Sequence, residues 1–87
     1  MRLKDVTPNY YTNKIYKGKY KKFECLISYL PNLDVWHYHL NSNDERNIMY
    51  SSLWDGIEFN TQEDCVKACQ KYIDEVLKNA KISKKMG

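Results

Sequence analysis

Along the chain, apolar and polar positions first fall into a regular period at KKFECLISYL, residues 21–30. Phe23, Cys25, Ile27 and Tyr29 alternate with Glu24 and Ser28, which predicts a strand with one clearly more apolar face. PNLD (31–34) supplies a turn. VWHYHL (35–40) predicts a second strand, ended by NSNDERN (41–47), a polar loop rich in turn formers. IMYSSLW (48–54) resumes the β-branched and aromatic character of a strand. The DGIEF that follows puts Gly56 at a bulge or tight turn, so the third strand also reads as two short ones.

The period then changes. In TQED (61–64), Thr61 is suited to cap a helix, and Asp64, three residues on, can reach back to it. Through CVKACQKYIDEVLKNA, Cys65, Cys69, Tyr72, Ile73, Val76 and Ala80 fall in one sector, widened by Val66 and Leu77. Glu63, Lys67, Gln70, Lys71, Asp74 and Lys78 lie opposite. Glu63 with Lys67, and Asp74 with Lys78, are favourably oriented pairs four apart, each worth a few tenths of a kcal/mol. Residues 1–13 carry Pro8, Asn9 and Asn13 without a sustained period and read as an irregular N-terminal arm. KIYKGKYKK (14–22) follows as a lysine-rich stretch around Gly18, and KISKKMG (81–87) reads as a basic, fraying tail. The expected fold is therefore α+β: a single β-β-β-α domain over 14–80. Its three-stranded antiparallel sheet is covered on one face by a helix from about Thr61 to Ala80.

Composition narrows what such a domain can do. Eighty-seven residues bury only ~60–65% of the surface of the unfolded chain, which leaves little room for an enclosed active site. Eight tyrosines bring the aromatic share to 14%, a composition that suits half-exposed sheets and interfaces. Fourteen basic against eleven acidic residues, a net charge of +3, is mild for a dedicated polyanion binder. Three cysteines, an odd number, behind a polar start point to a reducing, cytoplasmic compartment rather than a secreted disulfide framework. No run approaches the ~18 apolar residues of a membrane span, so no membrane partner is expected.

Two chemical constellations stand out. Cys65 and Cys69 lie one helical turn apart, and His37 and His39 leave one face of a strand, so the four are candidate ligands of a structural zinc, with Cys25 as a substitute. Against this, Cys is a common core residue, and the spacing differs from that of familiar zinc fingers. If both histidines face the helix, moreover, Trp36, Tyr38 and Leu40 must face away from it. The cofactor expectation is thus either none or a structural zinc. A cysteine nucleophile with a histidine base ranks lower, because no motif joins the two to an oxyanion hole. The second constellation is the uncovered face of the sheet. A helix covers one face only, and Trp36, Tyr38, Tyr50 and Trp54 are the candidate partner-binding residues, unless Tyr10, Tyr11 and Tyr16 of the arm fold over them.

The strand order followed by GIEFNTQEDCVKAC resembles a common G-x-x-F-x-T-x-x-[DE]-A entry into a helix, seen in small β-β-β-α domains of phages and mobile elements. The similarity spans about residues 17–80. One such group, the arm-type DNA-binding domains of tyrosine integrases, implies a sheet that reads the major groove. Another, the small phage inhibitors of host defence that include anti-CRISPR proteins, implies blockade of a host nucleic-acid-handling enzyme, such as a CRISPR nuclease, by protein contact. VWHYHL and IMYSSLW contain no Lys or Arg, a departure from what a DNA-reading sheet needs. The positive charge gathers instead at Lys14, Lys17, Lys19, Lys21 and Lys22 and again at Lys81, Lys84 and Lys85. The first expectation is therefore a non-enzymatic inhibitor or adaptor with a protein partner. The alternative is a DNA-binding module that uses the sheet with Lys17, Lys19, Lys21 and Lys22.

Overall fold

The computed structural model describes residues 1–86, with side chains described through Asn79, so the expected basic tail and the contribution of Ala80 lie outside the described side chains. The sheet has five strands where the hydrophobic pattern predicts three. β1 (Lys4–Asp5), β2 (Lys14–Tyr20), β3 (Phe23–Leu30), β4 (Val35–Ser42) and β5 (Met49–Ser51) pair in sequence order as an antiparallel meander. A 3₁₀ turn (Ser52–Asp55) and α1 (Gln62–Met86) follow.

The two additional strands come from the stretches read as arm and lysine cluster. In β2 the residues alternate across the sheet: Tyr16, Gly18 and Tyr20 lie opposite Ile27, Cys25 and Phe23, while Lys17 and Lys19 lie opposite Leu26 and Glu24. Lysine and glycine are both weak strand formers, and here cross-strand packing overrides that preference. Gly18 sits at a close approach. A Cβ there would sit 2.7 Å from the Met1 side chain and 3.0 Å from the Arg2 carbonyl oxygen, so glycine lets the N-terminal segment lie close against β2 without displacing it. Tyr10 and Tyr11 do not fold over the sheet; Tyr10 is 83% exposed. Tyr16 belongs to β2 itself.

α1 packs on β3 and β4. The core lies between them: Phe23, Cys25 and Ile27 from β3, Tyr38 and Leu40 from β4, and Cys65, Cys69 and Ile73 from the helix. Thr61 caps the helix as its position predicts, accepting the Asp64 backbone N–H at 3.1 Å. Of the two predicted helix pairs, Glu63 and Lys67 meet at 3.1 Å. Asp74 takes Lys21 at 2.7 Å and the Tyr20 hydroxyl at 3.1 Å, which ties the helix to the β2–β3 turn.

The β3–β4 register sets the parity of β4. Ile27 faces Tyr38 and Cys25 faces Leu40, so these side chains share the helix side, whereas Ser28 faces His37 and Leu26 faces His39 on the opposite, open side. Beyond β4 the chain makes a broken edge: β5 pairs along residues 39–41, and Phe59 returns to exchange two backbone hydrogen bonds with Trp36, at 2.7 and 3.0 Å. The third predicted strand is thus two short pieces separated by a turn. Among the described residues, no helix is long and apolar enough to cross a membrane.

Candidate functional site

The register separates the residues proposed as zinc ligands. Cys65 and Cys69 point into the core from α1, together with Cys25, while His37 and His39 lie on the far side of the sheet. The four do not converge, and among the described residues no group of three or more His, Cys, Asp or Glu side chains is placed to hold a metal ion. The three cysteines gather as free, fully buried thiols. Burial pushes Cys65 from its ordinary 9.0 up to about 12. Cys69 is pushed up by the neighbouring Cys25 thiol and by burial. Cys25 is shifted the other way, downward, by its hydrogen bond with Cys69. Cys65 and Cys69, held in the thiol form, act as small core residues and are poor nucleophiles. On the open side, His37 is buried with its Nδ1 unpartnered among the described residues, and His39 meets the edge of Trp54.

The four aromatic residues expected at a partner surface have different fates. Tyr38 is only 4% exposed and packs among Tyr50, Phe59 and Tyr72. Tyr50 stacks nearly flat on Tyr72, with ring centroids 4.2 Å apart, and its hydroxyl donates to the Asp55 carboxylate. Trp36 is half-buried between Tyr16 and Tyr29. Trp54 alone of the four is largely free, at 62% exposure.

Trp54 is nevertheless held. It sits in the 3₁₀ turn, whose N-cap Ser51 accepts the Leu53 N–H and whose C-cap Gly56 adopts φ 66°, a left-handed conformation that glycine enters without strain. Backbone bonds from Gly56 to Leu53 and from Ile57 to Ser52 close the turn at 3.1 and 2.9 Å. Trp54 meets Tyr50 and His39 edge-on, with centroids 6.0 and 6.4 Å away. Met49, Leu53 and Ile57 are also exposed, which makes four large apolar side chains uncovered between residues 49 and 57. Reading the sequence singles out Trp54 but misses the other three. The signal for them was the apolar residues on both sides of Ser51–Ser52 and again just after Gly56, which follow no single period that would turn all of them to a core.

The lysines are also redistributed. Lys17 and Lys19 stand on the open face of β2, but Lys21 and Lys22 form the turn to β3, and Lys21 is engaged by Asp74. In place of those two, the N-terminal segment brings Arg2 and Lys4 alongside, and Arg2, Lys4, Lys17, Gly18 and Lys19 line a shallow cavity of about 330 Å³. The open sheet thus has a cationic edge at β1–β2 and an apolar edge at β5 and the 3₁₀ turn. Compared with protein-family models, with curated proteins and with solved structures, the chain shows no match.

Proposed function

We propose that this is a non-enzymatic binding protein, an inhibitor or adaptor of the kind that the phage-domain resemblance implies, which acts by occupying the surface of a partner protein through its β5–3₁₀ edge. The observation that carries this reading is the exposure of Trp54 on a closed turn, in a stretch of chain where Met49, Leu53 and Ile57 are exposed as well. An exposed tryptophan within an apolar cluster is the composition of an interface anchor. Because its turn is already fixed by a cap, a left-handed glycine and two backbone bonds, little ordering entropy remains to be lost on binding.

The test is capture from extracts of the source cell on immobilised protein, comparing wild type, Trp54→Ala and a Lys71→Ala/Lys78→Ala control on the exposed helix face. A partner retained by wild type and control should lose roughly thirty-fold in affinity on Trp54→Ala, or ~2 kcal/mol. Equal capture by a folded Trp54→Ala protein would rule out this edge as the anchor.

A further inference from the structure

We infer a second binding site, at the opposite edge of the open face, for the phosphodiester backbone of a nucleic acid. It is independent of the protein contact at Trp54. The charges of this chain are segregated along the sequence. Residues 1–22 hold seven cations and a single acid, Asp5, whereas residues 23–60 hold six acids and a single cation, Arg46. Because the strands pair in chain order, this segregation becomes a polarity across the sheet, from a basic β1–β2 edge to an acidic and apolar β5 edge.

Within the basic edge the arrangement is regular. Lys4 lies directly opposite Lys17 in the β1–β2 ladder, and continuing that register by two residues sets Arg2 beside Lys19. All four side chains leave the open face, and all four line the cavity there. Like charges placed directly opposite across a ladder destabilise a sheet. Among the described residues, the ion pair that these four make is Lys17 with Glu24, at 3.2 Å. Four cations held together against one acid form an arrangement that gains stability when an anion arrives.

The geometry favours a chain of anions over a single one. Partners across the ladder are ~5 Å apart and alternate residues along a strand ~7 Å apart, so the four charges form a small grid. Its longer spacing is comparable to that of successive phosphates on a nucleic-acid strand. Lysine and arginine on an open strand face meet such a backbone without reading bases, which suits a site flanked on β2 by Ile15 and on β3 by Leu26, both apolar. The site differs from the lysine cluster visible in the sequence. Lys21 is withdrawn to Asp74, and Arg2 and Lys4 replace the turn lysines.

The experiment is fluorescence anisotropy with labelled oligonucleotides of about twelve nucleotides, single-stranded and duplex, at low and at about four-fold higher salt. Wild type should bind at low salt and weaken at least ten-fold at the higher salt. Lys4→Ala/Lys19→Ala should bind at least ten-fold more weakly and lower the log–log salt slope by roughly 1.5. Glu24→Gln should bind several-fold more tightly, an effect in the opposite direction that a merely structural role would not give. Lys71→Ala/Lys78→Ala, which removes the same charge from the helix, should match wild type. Circular dichroism confirms that each variant is folded. The inference is overturned by absence of binding to either form at low salt, by equal weakening in the helix control, or by polyglutamate competing as well as unlabelled oligonucleotide, which would assign the edge to an acidic protein.

Discussion

Ser52 serves as the missing backbone neighbour of Tyr38: its hydroxyl accepts the Tyr38 N–H at 3.0 Å and donates to the Tyr38 carbonyl at 3.3 Å. On either side along β4, Leu40 is paired with Tyr50 and Trp36 with Phe59, so the hydroxyl completes the edge where the chain leaves the sheet to form the 3₁₀ turn. Ser52 is fully buried. Ser52→Ala leaves a donor and an acceptor without partners away from water and should cost ~2–3 kcal/mol. Urea denaturation is the check: a lower midpoint at unchanged slope is expected, whereas an unchanged midpoint would mean that water already serves both groups.

A stabilising substitution is expected in the hairpin between β2 and β3. Tyr20 pairs with Phe23 across a two-residue loop, Lys21–Lys22, in which φ is 48° and 68°. Two positive φ values in such a loop match the twist of a hairpin and ordinarily call for Asn-Gly. The Lys21 side chain has a compensating partner in Asp74, whereas among the described residues the Lys22 side chain has no ion pair, and the Lys22 carbonyl, which accepts the Asn43 N–H at 3.0 Å, keeps that bond in any variant. Lys22→Gly should relieve the left-handed strain and, after the added freedom of the unfolded chain, gain ~0.5–1 kcal/mol, raising Tm by roughly 2–6 °C. Lys22→Val should lower Tm.

The helix, its cap and the two central strands were legible because each follows one clean period, and burial of Phe23, Cys25, Ile27, Cys69 and Ile73 bears that reading out. β1 and β2 were not legible because the evidence for them is non-local. In Tyr-Lys-Gly-Lys-Tyr the alternation is present, but a glycine stands where an apolar residue would mark the inner face, and that glycine makes sense only once Met1 and Arg2 lie against it. The site was legible in part. Trp54 was identifiable as an aromatic residue near a glycine, but burial of Tyr38 and withdrawal of Lys21 depend on Tyr72 and Asp74, on a helix far along the chain. The parity of β4, which separates His37 and His39 from the cysteines, is fixed by register with β3, and a palindromic pattern such as His-Tyr-His reads equally well on either face.

The thiol cluster makes the fold sensitive to alkali. Cys65 titrates at about 12 in the folded chain against an ordinary 9.0, because burial disfavours the thiolate. Tyr50 is likewise raised from 10.0 to about 12, first through its hydrogen bond to Asp55 and then through burial. A group whose folded pKa is raised contributes stability that is fully present below its ordinary value and is lost as pH climbs toward the folded one. The urea midpoint should therefore hold up to about pH 9 and then fall steadily toward pH 12. A thiol reagent at neutral pH should leave the native cysteines untouched and label all three once the chain unfolds. Rapid labelling of the folded protein would contradict the buried cluster.

Tyr38 and Trp54 should separate stability from binding. Tyr38 is buried among Tyr50, Phe59 and Tyr72 beneath the helix, so Tyr38→Ala opens a cavity at the centre of the sheet and should cost ~3–5 kcal/mol, a large share of what an 87-residue domain holds. Any loss of partner binding in that variant would follow from loss of fold. Trp54 is 62% exposed and meets His39 and Tyr50 edge-on, so Trp54→Ala should cost no more than ~1 kcal/mol of stability. Paired measurements of urea midpoint and partner affinity on the two variants are the check. A Trp54→Ala protein that unfolds as readily as Tyr38→Ala would show that the tryptophan belongs to the core, and the surface at the β5 edge would then lose its anchor.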